Sequence, residues 1–127
     1  MEFTFINKSS RDFNIKIKKS NHLSIPRRKL EFIEVQGRTD NLVIDEGSRE
    51  MLDIEIEAYI DCRNEDTYSY ALRLDEWLIG SNGYQDLIFD DNTNLKALFV
   101  GQIDFNSITK NFEEILLQFK AYRGGDL

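Results

Sequence analysis

Acid–base or nucleophilic chemistry needs a base that titrates near neutrality beside a nucleophile, and this chain has one histidine and one cysteine from which to build it. His22 lies in Ser20-Asn21-His22 among Lys18, Lys19, Arg27 and Arg28. Those cations oppose its protonation, and no carboxylate is close enough in sequence to orient the ring. It is expected to be a solvent-exposed turn residue. Cys62 has no neighbouring histidine and no second cysteine to pair with, so it reads as a reduced, buried or half-buried thiol of a protein made in cytoplasm.

Carboxylates are plentiful, which raises two-carboxylate hydrolysis or an oxygen-ligand metal site. The densest group, Asp90-Asp91-Asn92 with Asn94, lacks the glycine and distal glutamate of a calcium loop, and such stretches ordinarily bond their own backbone into a turn. Glu55 and Glu57 project from one face of a strand toward water or a partner's cation. Gly37-Arg38 has no third glycine, lysine or helix start behind it, so it is not a phosphate cradle. No catalytic, cofactor-binding or metal-binding residue is assigned, and the chain is expected not to be an enzyme.

The elements that carry these residues are mostly strands. Leu52, Ile54, Ile56, Ala58 and Ile60 alternate with Asp53, Glu55, Glu57 and Tyr59, the pattern of a strand with one buried side. Residues 112–122 repeat it, except that Leu116 and Tyr122 make the second face half apolar, as though a partner sheet, the helix or another subunit covered it. Shorter strands are expected at 2–6, 13–18, 29–35, 42–45, 84–89 and 96–104. The polar turn at Ser20-Asn21-His22 suggests a protruding hairpin over 14–33, with Pro26 near an edge. Between Asp66 and Ile79, Tyr70, Ala71, Leu74, Trp77 and Leu78 recur at three and four, predicting one helix over about 66–79 capped by Asn64, Asp66 or Thr67 and stopped at Gly80. The expectation is a single domain over 1–127, mainly β with one helix (α+β): a small antiparallel sandwich or open barrel with the helix packed across it. Leu52, Ile54, Ile56, Leu74, Trp77, Leu78 and Phe89 should lie in its core.

Charge is distributed unevenly. Residues 1–30 hold eight Lys or Arg against two acids, a formal +6; the rest holds eight against twenty-one, a formal −13. A basic segment and an acidic body can attract each other between copies, and contact between two different patches builds rings or filaments. Lys16, Lys18, Lys19, Arg27, Arg28 and Lys29 are therefore candidate subunit contacts, with Glu55 and Glu57 the first acidic residues to meet them. The sequence pI of 4.7 argues against a dedicated nucleic-acid binder. No signal-peptide pattern follows Met1, and no apolar run is long enough for a membrane-spanning helix.

In order and spacing these features resemble the amino-terminal domain of siphophage distal tail proteins, the hub at the far end of a long flexible phage tail. Phe3-Thr4-Phe5-Ile6-Asn7 and Ser10-Arg11-Asp12-Phe13-Asn14 are similar to that family's opening strand, polar turn and Ser-x-Asp-Phe-Gly stretch, with Asn14 in place of glycine. Glu34-Val35-Gln36-Gly37-Arg38-Thr39-Asp40 resembles its Val-Pro-Gly-Arg-Asp-Gly turn, with Gln36 for proline. Leu74-Asp75-Glu76-Trp77-Leu78, Gly83 to Asp91, Ala97 to Ile103 and Phe119-Lys120-Ala121-Tyr122-Arg123 follow in the family's order.

The resemblance implies a hexameric ring, without enzymatic activity or cofactor, between the tail tube protein and the baseplate or tail-tip proteins. In such rings an extended hairpin reaches the neighbouring subunit, and DNA passes through the channel without specific binding. It places the protein in the virion tail, assembled in the bacterial host cytoplasm and not in a membrane. Many members continue into a carbohydrate-module-like second domain, which is expected to be absent from a chain stopping at Gly124-Gly125-Asp126-Leu127. The competing reading is a small binding module whose basic hairpin grips an anionic polymer, nucleic acid or cell-wall glycan.

Overall fold

The computed structural model describes residues 1–61, 66–109 and 112–123. Its strands are β1 (Phe3–Phe5), β2 (Lys8–Ser9), β3 (Ile15–Ser20), β4 (Arg28–Ile33), β5 (Leu42–Arg49), β6 (Leu52–Asp61), β7 (Gln85–Phe89), β8 (Asn94–Val100), β9 (Asn106–Thr109) and β10 (Phe112–Arg123). The single helix, α1, spans Thr67–Leu78, and a 3₁₀ turn spans Ser10–Phe13. Seven strands follow the antiparallel order β2-β1-β7-β8-β10-β6-β3, β9 pairs with β10, and β4 and β5 form a separate two-stranded sheet. This is the mainly β, one-helix architecture that the sequence patterns predict.

Alternation decides which face of the large sheet is buried. Leu52, Ile54, Ile56, Ala58 and Ile60 of β6 and Ile115, Leu117, Phe119 and Ala121 of β10 all point inward. They meet Phe3, Phe5, Leu87 and Phe89 from β1 and β7. In a flat sheet β1 and β10 would stand about 14 Å apart, three strand spacings. Instead the rings of Phe5 and Phe119 are 5.2 Å centroid to centroid. The sheet therefore curls over its own core, the open-barrel form of the expected fold.

Helix α1 closes the core with Tyr70, Leu74, Trp77 and Leu78. Asp66 caps it, its carboxylate accepting from the Ser69 amide at 3.1 Å, and Ile79 and Gly80 lie beyond its last turn. Trp77 stacks on Phe13 at 4.2 Å and donates its indole N–H to the Phe5 carbonyl at 2.6 Å, binding helix, 3₁₀ turn and first strand together. Asn14 takes the left-handed conformation, φ 56°, at the end of the 3₁₀ turn, as expected of the residue standing where glycine is usual. The strand expected over 96–104 ends at Val100, and β9, without a legible alternation of its own, is an addition the sequence reading lacks.

The hairpin expected over 14–33 does not form. β3 pairs with β6 in the large sheet, whereas β4 pairs with β5 to make an arm over 28–49. The chain does turn over residues 21–24, the Ser24 amide donating to the Asn21 carbonyl at 3.1 Å, but the turn does not join two paired strands. The Asn21 side chain replaces a rung of the ladder instead, accepting from the Glu55 amide at 2.7 Å and donating to the Asp53 carbonyl at 2.9 Å. After this break the Glu50 amide donates to the Arg27 carbonyl at 2.7 Å, and pairing resumes as β4 and β5. Body and arm are thus one long ribbon, β3–β4 against β5–β6, interrupted at residues 21–26.

Candidate subunit interface

The arm is where the structure departs most from a self-contained fold. Every residue of β4 is exposed, and all of β5 except Ser48. Of sixteen large apolar side chains exposed among the described residues, seven lie between Leu30 and Ile44. Residues opposite one another in an antiparallel pair share a face. The register Leu30↔Asp45 and Phe32↔Val43 therefore puts Leu30, Phe32 and Val43 on one side, while Glu31↔Ile44 and Ile33↔Leu42 put Ile33, Leu42 and Ile44 on the other. Phe32 is 60% exposed and Val43 50%. A two-stranded hairpin is marginal in water by itself, and one with apolar groups open on both faces needs a cover.

At the tip, the Arg38 amide donates to the Val35 carbonyl at 3.1 Å, and Gly37 holds φ 84° at the third position of the turn. That is the type II pattern, in which only glycine or asparagine is comfortable third and proline is favoured second, where Gln36 stands. The tight turn expected there is present. An Arg38–Asp40 ion pair at 2.7 Å follows it.

The sequence-derived contact residues fall into two groups that the structure does not join into a basic hairpin. Lys16, Lys18 and Lys19 are exposed on β3, the terminal strand of the large sheet. Arg27, Arg28 and Lys29 are exposed at the arm's root, where Arg28 lies 3.8 Å from Asp45 across the arm. Over 28–49 the arm carries four cations and five acids, so it is close to charge-balanced. Glu55 and Glu57 lie on the outward face of β6, beside the same chain's lysines: Lys19 faces Glu57 in register, and Lys16 faces Tyr59. A hydrogen bond with Tyr59, then the charges of Tyr59, Glu114 and Glu57, hold the Lys18 amine above its ordinary value. Leu116, which suggested a covered second face on β10, is 37% exposed beside them.

His22 is a correction. It is 3% exposed, not a solvated turn residue. Its ring stacks on Phe89 at 3.9 Å, with Nε2 2.8 Å from Asp91 Oδ2 and Nδ1 2.9 Å from Ser20 Oγ. The carboxylate that orients it comes from a turn 69 residues away, which no reading of local sequence could supply. The Asp90–Asn94 stretch does form the expected turn, Asp91 Oδ1 accepting from the Thr93 amide at 3.1 Å and Asn92 at φ 71°. The imidazole, and Thr93 after it, pull the Asp91 carboxyl down to about 2.

Ser20, His22 and Asp91 have the residue types of a hydrolytic triad but not its arrangement. The imidazole is 3% exposed and covered by Phe89, out of a substrate's reach, and Ser20 Oγ accepts from the His22 amide at 3.3 Å. The trio is a clasp. It fastens the arm's root to the β7–β8 turn, helped by Arg123, whose guanidinium donates to the Ser24 carbonyl at 3.4 Å. Among the described residues no group of three or more His, Cys, Asp or Glu is placed to hold a metal ion, and no helix is long and apolar enough to cross a membrane. Cys62 and Asn64 lie outside the described residues.

No family model and no curated protein matches the sequence. Among solved structures the chain is similar to Dit (gp 19.1) of phage SPP1, presented as a paradigm of the hub adsorption apparatus in phages infecting Gram-positive bacteria. The TM-score is 0.78 at 12% identity, over 98% of this chain and 50% of that one. The chain thus spans about half the length of the structure it matches. At this identity the likeness is one of fold: the chain has the fold of part of a phage distal tail protein.

Proposed function

We propose that this chain is a structural subunit at the distal end of a long, non-contractile phage or prophage tail. Six copies assemble head to tail into a ring that links the tail tube to the baseplate or tail tip. The observation that carries the reading is the β4–β5 arm, paired only with itself among the described residues and apolar on both faces, on a body with the fold of part of a tail hub protein.

Magnitudes favour an apolar contact over an electrostatic one. Fully burying a large apolar side chain is worth roughly 1.5–3 kcal/mol, so covering a half-exposed one is worth roughly 1 kcal/mol. Seven such side chains outweigh a few exposed ion pairs at about 0–1 kcal/mol each, some of whose partners are already met within the chain. Arg27, Arg28 and Lys29 then steer and orient the arm from its root, while the apolar faces hold it. The acidic surplus beyond residue 30 would keep DNA in the channel from adhering. The reading assigns the protein no catalytic activity.

The test is the mass of an arm variant in solution. Phe32→Asp combined with Val43→Asp should leave far-ultraviolet circular dichroism unchanged and turn an oligomeric wild type into a monomer. A variant that keeps the wild-type oligomeric mass would overturn the reading.

A further inference from the structure

We propose that the arm of one copy adds its β5 strand to the free edge of β3 in the next copy, extending that copy's large sheet. This rests on the ring reading and specifies where the arm lands.

Among the described residues β3 is the last strand of the sheet, so along its six residues one row of backbone N–H and C=O groups has no described strand beside it. The sheet's other terminal strand, β2, is only two residues long, too short to seat a partner. β5 likewise has a free outer edge, because β4 occupies only one side. The chain's own arm cannot fill its own edge. It continues the β3–β6 ribbon outward, held in line by the Asn21–Glu55 and Arg27–Glu50 hydrogen bonds at its root. The edge is therefore left for another copy.

Charge selects which arm strand docks. β3 carries Lys16, Lys18 and Lys19 in six residues, and β5 carries Asp45 and Glu46 against Arg49 at its root end, a net acidic strand. β4 carries Arg28 and Lys29 against Glu31, and its net positive charge would meet the lysines with like sign. Lysines and a bulge on an edge strand ordinarily repel an incoming strand, and β3 has both, its register shifting between Ile17 and Lys19. Against an acidic strand the same lysines become a selection device: they reject generic pairing and admit one partner. Tyr59 and Glu57 do not exhaust them, since an ammonium has three donors.

Charge exchange and cross-linking test the inference. Lys16→Glu with Lys18→Glu and Lys19→Glu should weaken self-association at least tenfold, as should Asp45→Lys with Glu46→Lys. An equimolar mixture of the two variants should regain wild-type association, each edge finding its complement in the other variant. In wild-type protein mixed from ¹⁴N and ¹⁵N preparations, zero-length carbodiimide cross-links should join Lys16, Lys18 or Lys19 of one isotope to Asp45 or Glu46 of the other. This measurement also decides the matter if a charge variant fails to fold. Association that survives the β3 reversal but is lost in the Phe32/Val43 variant would overturn the edge assignment and leave the ring reading intact. Inter-copy cross-links that never join β3 to β5 would do the same. If neither set of variants changes the mass, both fall.

Discussion

Asp91 is the clearest single-residue consequence of the structure. Its carboxyl falls from the ordinary 3.8 to about 2 because it accepts a hydrogen bond from buried His22, with Thr93 adding to the effect. A carboxyl depressed on folding contributes stability that is complete above 3.8 and is lost as the pH falls toward about 2. Asp91→Asn should therefore lower the urea midpoint at neutral pH and remove part of the acid-side decline in that window. Parallel midpoint–pH curves for wild type and variant would contradict the clasp.

Trp77 makes a second residue-scale prediction. Trp77→Phe keeps most of the packing but leaves the Phe5 carbonyl without its donor, at a cost of about 1–3 kcal/mol, whereas Trp77→Ala should cost about 3–5 kcal/mol. Urea denaturation checks both. Trp77 was legible as core from its helical spacing. The burial of His22 was not, because its cause lies across the fold in Phe89 and Asp91.

The elements divide along the same physical line. Strand β6 and helix α1 were readable because their periodicities, two and three-to-four, follow from which side faces the core. Arm and body could not be told apart this way, since a strand apolar on both faces reads the same whether a core or another molecule covers it. Asn21 opens the turn that its residue type signals, its carbonyl accepting from the Ser24 amide at 3.1 Å, but its side-chain amide also serves as a rung between strands. Replacing it should expose that role. Asn21→Ala loses both side-chain hydrogen bonds and should cost about 1–2 kcal/mol, while Asn21→Asp retains an acceptor for the Glu55 amide and should lose less. Amide exchange across residues 28–49 should quicken in the alanine variant, because the root no longer holds the arm in line. Unchanged exchange there would show that Pro26 and the His22 clasp suffice to hold it.

For the whole molecule, the uneven charge that dominates the sequence takes a smaller part than its size suggests. Six of the eight basic residues of the first thirty positions are divided between the β3 edge and the arm root, and several, Arg11 beside Glu2 among them, already face acids of their own chain. The family resemblance read from ordered short motifs agrees with the fold, which matches half of a phage hub protein. The feature that bears most on assembly is the exposed apolar arm. The most direct test is light scattering on the wild-type protein over a concentration series at low and high salt. An apolar arm predicts a closed oligomer of about six copies that persists at high salt, where surface ion pairs are screened. A monomer at every concentration and both salts would contradict the account.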